Sequence, residues 1–384
     1  MMAFSHESHG ACTSSLYRRD IEIIRTAQHP QGAYPAAPNF SPYQYAWFRD
    51  GAFIAYAMDT AGVHDSAHHF HAWVVSVILR YKGKAERTTK NEQQEPLPDR
   101  NYLHARYALT GEETDDKWPN FQLDGLGTWL WAVGEHLHHT GISLPPSWAD
   151  AIELVANYLA TWWPLPCYDL WEESDAQLYV YTLASIFAGL HVAARLMNGP
   201  WARESQRIRD FILRHGVNEG HFVKGIARSD GHIPVGGIDS SLVGVSVPYG
   251  VVAPTDPRAQ ATVERIEKTL HRPGGGVYRY RGDTYYGGGE WLLTSAWLGW
   301  YYATVGEFQR ARELLAWIEA QADERGFLPE QVTEHAQFPQ FITMWQQRWG
   351  NVARPLLWSH AMHLILCHAL QKQEADRGTS GRLE

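Results

Sequence analysis

Residues 167–190 read CYDLWEESDAQLYVYTLASIFAGL, so Glu172 and Glu173 directly follow Trp171 at the head of a long apolar run. A carboxyl packed against an indole loses hydration, which disfavours its charged form and raises its pKa. Glu172 is therefore a candidate general acid, able to protonate a leaving oxygen near neutral pH. Glu173 is expected to point elsewhere on a helix and to accept hydrogen bonds from substrate hydroxyls. Far down the chain, ERGFLPEQV places Glu330 after a proline in a loop. A loop carboxylate at a rim is expected to stay ionised and to activate a water. One protonated and one charged carboxyl are what glycosidic hydrolysis needs; a water between them requires roughly 6.5–9.5 Å and inverts the anomeric configuration. On the Glu-Glu dipeptide alone, a solvated acid pair in a first helical turn is the commoner meaning. The weight therefore rests on the elements that would position these groups.

Helical patterns are predicted near 14–28, 50–62, 65–82, 124–140, 146–163, 176–197, 200–215, 239–247, 256–271, 289–304, 306–321 and 355–371, with few strand signals. The even-numbered helices are the more apolar, as in GAFIAYAM and LWSHAMHLILCHAL. A helix apolar all round is buried, and an amphipathic one lies outside. Six outer and six inner helices in alternation make an all-α (α/α)6 barrel. That packing needs the whole length, so residues 1–384 are read as one catalytic domain. Residues 81–107, the most polar stretch, read as a long loop, a class that is often functional.

Most inner helices are predicted to begin with an acid: Asp50, Asp124, Glu172, Asp239 and Glu290, with Trp358 at the sixth. The spacings of 74, 48, 67 and 51 residues are one step per helix pair. In a barrel all inner helices start at one end, so these acids would converge on one mouth. Helix capping explains an acid at a helix start equally well. For Asp239, followed by Ser240 and Ser241, capping is the favoured meaning. Capping does not explain why Trp47, Trp118, Trp171, Trp291 and Trp358 sit beside these starts.

Composition narrows the partners. Seventeen Trp and 19 Tyr exceed what the core needs, and aromatics with a polar edge suit rigid, partly apolar ligands such as sugars. A net charge of −9 argues against nucleic acid and polyanionic substrates. Three cysteines give no disulfide framework and fit a reducing compartment. The N-terminal residues lack a signal-peptide pattern, and no apolar run is expected to reach the ~18 residues of a membrane span. The expectation is a cytoplasmic protein.

The ordered motifs resemble glycoside hydrolase family 15, the glucoamylases and their bacterial relatives. YQYAWFRDGAF, WPNFQLDG, YDLWEE, YRYRGDTYYGGGEWLL, LPEQ and LWSHAM occur in the family's order over nearly the whole chain. The resemblance implies Glu172 as general acid and Glu330 as general base, with no cofactor and no metal. It implies that Arg49 and Asp50 bind hydroxyls at the non-reducing end of the terminal glucose, where a side-by-side donor and acceptor fix a diol; a structural ion pair is the alternative. Tyr43 would lie beneath the sugar ring, Trp118 and Trp171 would wall the pocket, and Arg279 and Glu173 would reach the next sugar. Gln331, Tyr285 and Trp291 are further lining candidates, and Asp124, Trp47 and Trp358 join them from the helix starts. No N-terminal β-sandwich and no starch-binding module are expected. Asn120 and Gly289-Glu290 depart from the starch-cleaving pattern at positions expected to face the second sugar, which makes isomaltose the leading substrate of an inverting exo-acting α-glucosidase, with an α,α-trehalase or an α-1,4 glucoamylase or transglucosidase of the same family as the alternative. The expected partners are a short oligosaccharide and glucose.

Two histidine-rich patches invite a metal reading: HHFHAW from His68, and EHLHHT, where His136 and His139 stand three apart. No His-Glu-x-x-His order appears, and solvated outer faces are the expected setting. Gly-rich RPGGGVYRYRGD lacks a following Gly-Lys-Ser/Thr and so is not a phosphate loop.

Overall fold

Two kinds of helix alternate along the chain, and their burial follows their composition. The computed structural model describes residues 15–90, 102–114, 117–228 and 231–380. Its α-helices are α1 (Ser15–Ala27), α2 (Phe48–Thr60), α3 (His64–Arg80), α4 (Lys82–Lys90), α5 (Asp124–Thr140), α6 (Pro146–Trp162) and α7 (Val180–Met197). They continue as α8 (Trp201–His215), α9 (Pro257–Leu270), α10 (Leu292–Val305), α11 (Phe308–Glu319), α12 (Ile342–Trp349) and α13 (Leu357–Ser380). Helix α10, LLTSAWLGWYYATV, is buried on every face from Leu292 to Ala303. Helix α8, WARESQRIRDFILRH, buries only Trp201, Ser205, Ile208 and Ile212, a single stripe.

The apolar helices form a closed inner ring. Going round it, α2 packs on α5, α5 on α7, α7 on the segment 240–245, that segment on α10, α10 on α13, and α13 on α2. Helices α1, α3, α6, α8, α9 and α11 pack outside the ring. This is the expected (α/α)6 barrel. Helices α5 and α7 approach closely because Gly127 and Gly189 face each other. A Cβ on Gly127 would meet the Ser185 backbone at 2.6 Å, and one on Gly189 would meet the Gly127 carbonyl oxygen at 2.6 Å.

Several elements differ from expectation. The fourth inner element is a six-residue 3-10 helix, Ser240–Val245, not a helix over 239–247. Pro248 disfavours helical geometry in the residue before it, and Gly244 is wedged between Trp297 and Tyr181. Helices α7 and α10 start late because the residues before them pair as strands: Gln177–Tyr179 with Gly225–Ala227, and Glu290–Trp291 with both Val277–Tyr278 and Gln331–Val332. Part of the expected 81–107 loop is helix α4, and residues 91–101 lie outside the described residues. Helix α12 was not foreseen. Helix α7, contrary to expectation, has 18 residues and is apolar enough by length and composition to cross a membrane; it is a barrel helix packed on α5 and α8.

A buried ion cluster ties the first helix to the last. Asp20 of α1 accepts from His360 Nδ1 at 2.7 Å and His363 Nδ1 at 2.5 Å, all three fully buried. Burial alone would push the Asp20 pKa up, but the two imidazoles hold it below its ordinary value. Burial also works against a charged His363, yet Asp20 lifts it to about 10. Removing one partner of a buried pair leaves an uncompensated charge, which typically costs about 3–5 kcal/mol. Asp20→Ala is expected to lose that much in urea unfolding. The His363 contribution is complete below its ordinary pKa of 6.5 and is lost as pH rises through about 10. The gap between wild type and variant should therefore narrow from neutral to alkaline pH.

Candidate active site

The inner elements all start at the same end of the barrel, and a cavity of about 550 Å³ opens there, within the size range of small-ligand sites. Glu172 and Glu330 both line it. So do Tyr43, Trp47, Arg49, Asp50, Trp118, Trp171, Glu173, Arg279, Tyr285, Trp291 and Trp358. The predicted residues Asp124 and Gln331 do not. Asp124 sits behind the wall and binds Arg49, while Gln331 braces backbone, accepting from the Gly289 N–H and donating to the Tyr285 carbonyl.

Glu172 does not begin a helix. It sits in a turn eight residues before α7, in the left-handed region at φ 65°. That conformation costs roughly 1–2 kcal/mol for a residue with a side chain. Backbone strain of this kind concentrates at functional sites. Asp169 holds the turn: its carbonyl accepts the Glu172 N–H at 2.9 Å, and its carboxylate accepts the Glu173 N–H at 2.9 Å. Lys224 in turn binds Asp169 at 3.0 Å.

The indoles that contact Glu172 through hydrogen bonds are not the Trp171 indole expected to pack on it. Trp171 turns away and donates its indole N–H to Asp239 at 2.9 Å. Trp47 and Trp118 instead donate their indole N–H groups to Glu172, at 2.7 and 3.0 Å. Gln122 adds a third donor at 2.7 Å. The indoles therefore act here as hydrogen-bond donors to the carboxyl. Gln122 was missed, although it lies in WPNFQLDG between Trp118 and Asp124. Its amide couples two site residues, because its oxygen accepts from Arg49 at 2.9 Å.

Arg49 and Asp50 stand in the first turn of α2. The Arg49 guanidinium donates to Asp124 at 3.0 Å and lies 3.9 Å from Glu172. Its pairing with Asp50 is loose, at 3.5 Å. Neither Arg49 Nε nor Asp50 Oδ2 has a hydrogen-bond partner in the protein, although both are buried. Burial raises the Asp50 pKa to about 7 despite Arg49, with Glu172 and Asp124 adding to the rise.

Glu330 arrives by a three-stranded sheet. Gln331 pairs with Trp291, which pairs with Val277, so Glu330 and Arg279 flank the two outer strands, with Glu290–Trp291 between them. The backbone of Glu330 is pinned by its N–H to Ala353 and its carbonyl to Leu292. Its side chain is only 3% exposed, not an open rim group. Burial pushes its pKa up to about 8, partly offset by Arg279 and by the hydroxyls of Tyr43 and Tyr285. This buried setting differs from the open rim expected for Glu330. Arg279 compensates it incompletely because its guanidinium is engaged by Asp283 at 2.6 and 2.7 Å and by Glu173 at 3.0 Å. Tyr43 and Tyr285 share a hydroxyl contact at 2.8 Å.

Three of the five predicted acids do not line the cavity. Asp239 caps the 3-10 helix through the Ser241 N–H, as expected. Glu290 turns away to Arg272 and the Gly276 N–H. Asp124 supports Arg49. Asn120 and Gly289-Glu290, expected to face the second sugar, are buried and do not line the cavity. The unforeseen helix α12 adds Trp345, Arg348 and Trp349 to the wall, with Trp349 stacked on Trp118 at 6.4 Å. The Trp-x-x-x-Trp spacing in FITMWQQRWG was the available signal, since residues four apart share a helix face. The histidine patches also differ from expectation: His71 and His136 are fully buried, and the two patches meet.

The comparisons agree with this geometry. The sequence profile described as glycosyl hydrolases family 15 matches residues 13–368. The chain is 40% identical over 375 residues to an isomaltose glucohydrolase of Kribbella flavida, covering 95% of this chain and 94% of that one. A solved glycosidase superposes with a TM-score of 0.88 at 39% identity over 96% of this chain and 99% of its own. A glycosidase variant in complex with glucose matches equally well. The Hormoconis resinae glucoamylase, at 17% identity and a TM-score of 0.66 over 94% of this chain and 74% of its own, shares the fold. The chain is a glycoside hydrolase and belongs to glycosyl hydrolases family 15.

Proposed function

We propose that the protein is an inverting, exo-acting α-glucosidase that releases β-glucose from the non-reducing end of short α-gluco-oligosaccharides, isomaltose foremost. One observation carries the chemistry: Glu172 and Glu330 open into a single aromatic-walled cavity with no hydrogen bond between them. Buried polar atoms on that wall, among them Glu330 Oε2, Trp291 Nε1 and Trp358 Nε1, have no hydrogen-bond partner in the protein. Such groups are rare in native proteins. The preference for isomaltose rests on the likeness to the Kribbella enzyme.

In this reading the terminal glucose offers its hydroxyls to Arg49 and Asp50. Glu172 donates a proton to the glycosidic oxygen as the bond to C1 breaks. Glu330 takes a proton from a water that attacks C1 from the opposite face. One water is consumed, and the two carboxyls exchange protonation states until solvent resets them. Tyr43 stands near both carboxyls, which each act on its hydroxyl.

Glu172→Gln and Glu330→Gln should each lower kcat by about 10²–10⁴-fold, the usual weight of general acid–base catalysis. Both should leave the circular dichroism spectrum unchanged. Near-normal turnover in either variant removes that residue from the chemistry. Glu330 must lose its proton to act as base, and burial raises its pKa. The acidic limb of kcat/KM should therefore lie above the ordinary carboxyl value of 4.5, toward about 8. A limb at or below the ordinary value contradicts this. Among isomaltose, maltose, nigerose and trehalose, isomaltose should give the highest kcat/KM; a higher value for another disaccharide overturns the linkage assignment.

A further inference from the structure

At the far end of the barrel, the two histidine patches converge on an acid. Asp59 lies near the C-terminal end of α2, His71 in α3 and His136 near the end of α5. All three are at most 2% exposed. One donor atom from each lies within 4.8 Å of the other two. Along α2 and α5 the cluster is roughly 14–18 Å from Asp50 and Asp124, at a 1.5 Å rise per residue. It is separate from the sugar cavity, and none of the three lines it.

His71 is the observation that asks for a ligand. Neither of its ring nitrogens has a hydrogen-bond partner, although the side chain is fully buried. A buried polar group left unpaired costs about 1–3 kcal/mol. Burial holds its pKa well below the ordinary imidazole value, so the ring is neutral, the form that binds metals.

We propose that Asp59, His71 and His136 form a binding site for a divalent first-row transition metal of the zinc class. Two imidazoles and a carboxylate suit zinc, whereas calcium and magnesium take oxygen ligands. His136 Nδ1 and Asp59 Oδ2 are 3.0 Å apart. Neighbouring donors around a tetrahedral zinc stand about 3.3 Å apart, given ligand bonds of about 2.0–2.2 Å. The His71 donor atom, within 4.8 Å of both others, would have to move inward to complete the two remaining edges. The remaining atoms of two ligands are already held by neighbours. His64 Nδ1 contacts Asp59 Oδ1 at 2.9 Å, and His68 Nδ1 contacts His136 Nε2 at 3.3 Å. Outer partners of this kind orient metal ligands and set their tautomer. The His64 side chain is 39% exposed, which places the cluster within reach of solvent. Trp148 covers the other side, stacking on His136 at 5.9 Å.

The test is calorimetric titration of the untagged full chain, stripped with a chelator, with zinc chloride at pH 7.5. One equivalent should bind with micromolar or tighter Kd, and saturating zinc should raise Tm. His71→Phe should weaken that equivalent at least 100-fold; it loses no hydrogen bond and keeps an aromatic ring in place. Asp59→Asn, which keeps most hydrogen-bonding capacity, should also weaken it at least 10-fold and serves if His71→Phe does not fold. Absence of a one-equivalent transition in the wild type overturns the proposal. So does binding that persists unchanged in the folded variants, because exposed histidines such as His69 and His138 would then be the ligands.

Discussion

At and just behind the cavity wall, two buried guanidiniums face six carboxyls. Asp50, Asp124 and Glu172 gather round Arg49, while Glu173 and Asp283 hold Arg279 beside Glu330. Buried charge without compensation is costly, so these carboxyls compete for the two guanidiniums. The two groups pushed furthest are Asp50, to about 7, and Glu330, to about 8, both through burial first. Arg49 and Arg279 are each engaged by a fixed partner behind the wall, which leaves these two carboxyls incompletely neutralised on the cavity side. A sugar brings hydroxyls that donate and accept, and so changes this balance at the point where it is least satisfied.

The ring geometry makes the convergence possible. Inner elements that all start at one end bring residues from distant parts of the chain to a single mouth. Short strands then refine the placement. The pair Ala46–Trp47 with Arg106–Tyr107 fixes Trp47, and the sheet of 331–332, 290–291 and 277–278 fixes the strand ends from which Glu330 and Arg279 extend. The strained turn at Glu172 has a different support, the side chain and carbonyl of Asp169. Helices α2 and α5 also carry polar groups at both ends, Asp50 and Asp124 at the end that bears the cavity, Asp59 and His136 at the other, with apolar layers between.

Much of this was legible in the residues. The alternation of apolar and amphipathic helices gave the barrel, and thirteen of the proposed site residues line one cavity. What was not legible depended on local direction. An acid at a predicted helix start says nothing about which way its side chain turns, so Glu290 was expected at the mouth and instead binds Arg272. A tryptophan beside a carboxyl can blanket it or donate to it, and here Trp47 and Trp118 donate while Trp171 serves Asp239. Glu330 sits on a short loop, which suggested exposure, but the sheet it precedes carries it inward. The short helix α12 was overlooked because eight residues show too little periodicity to stand out, although its two tryptophans carried the signal. The histidine patches lay on two helices whose buried faces meet, a fact that only the packing discloses.

The central claim is that a water held by Glu330 attacks the sugar carbon on the side opposite Glu172. The most direct measurement follows the first minutes of isomaltose hydrolysis by proton NMR, before the anomers equilibrate. Glucose cleaved from the non-reducing end should appear as the β-anomer. Its appearance as the α-anomer would mean retention of configuration and would contradict the account.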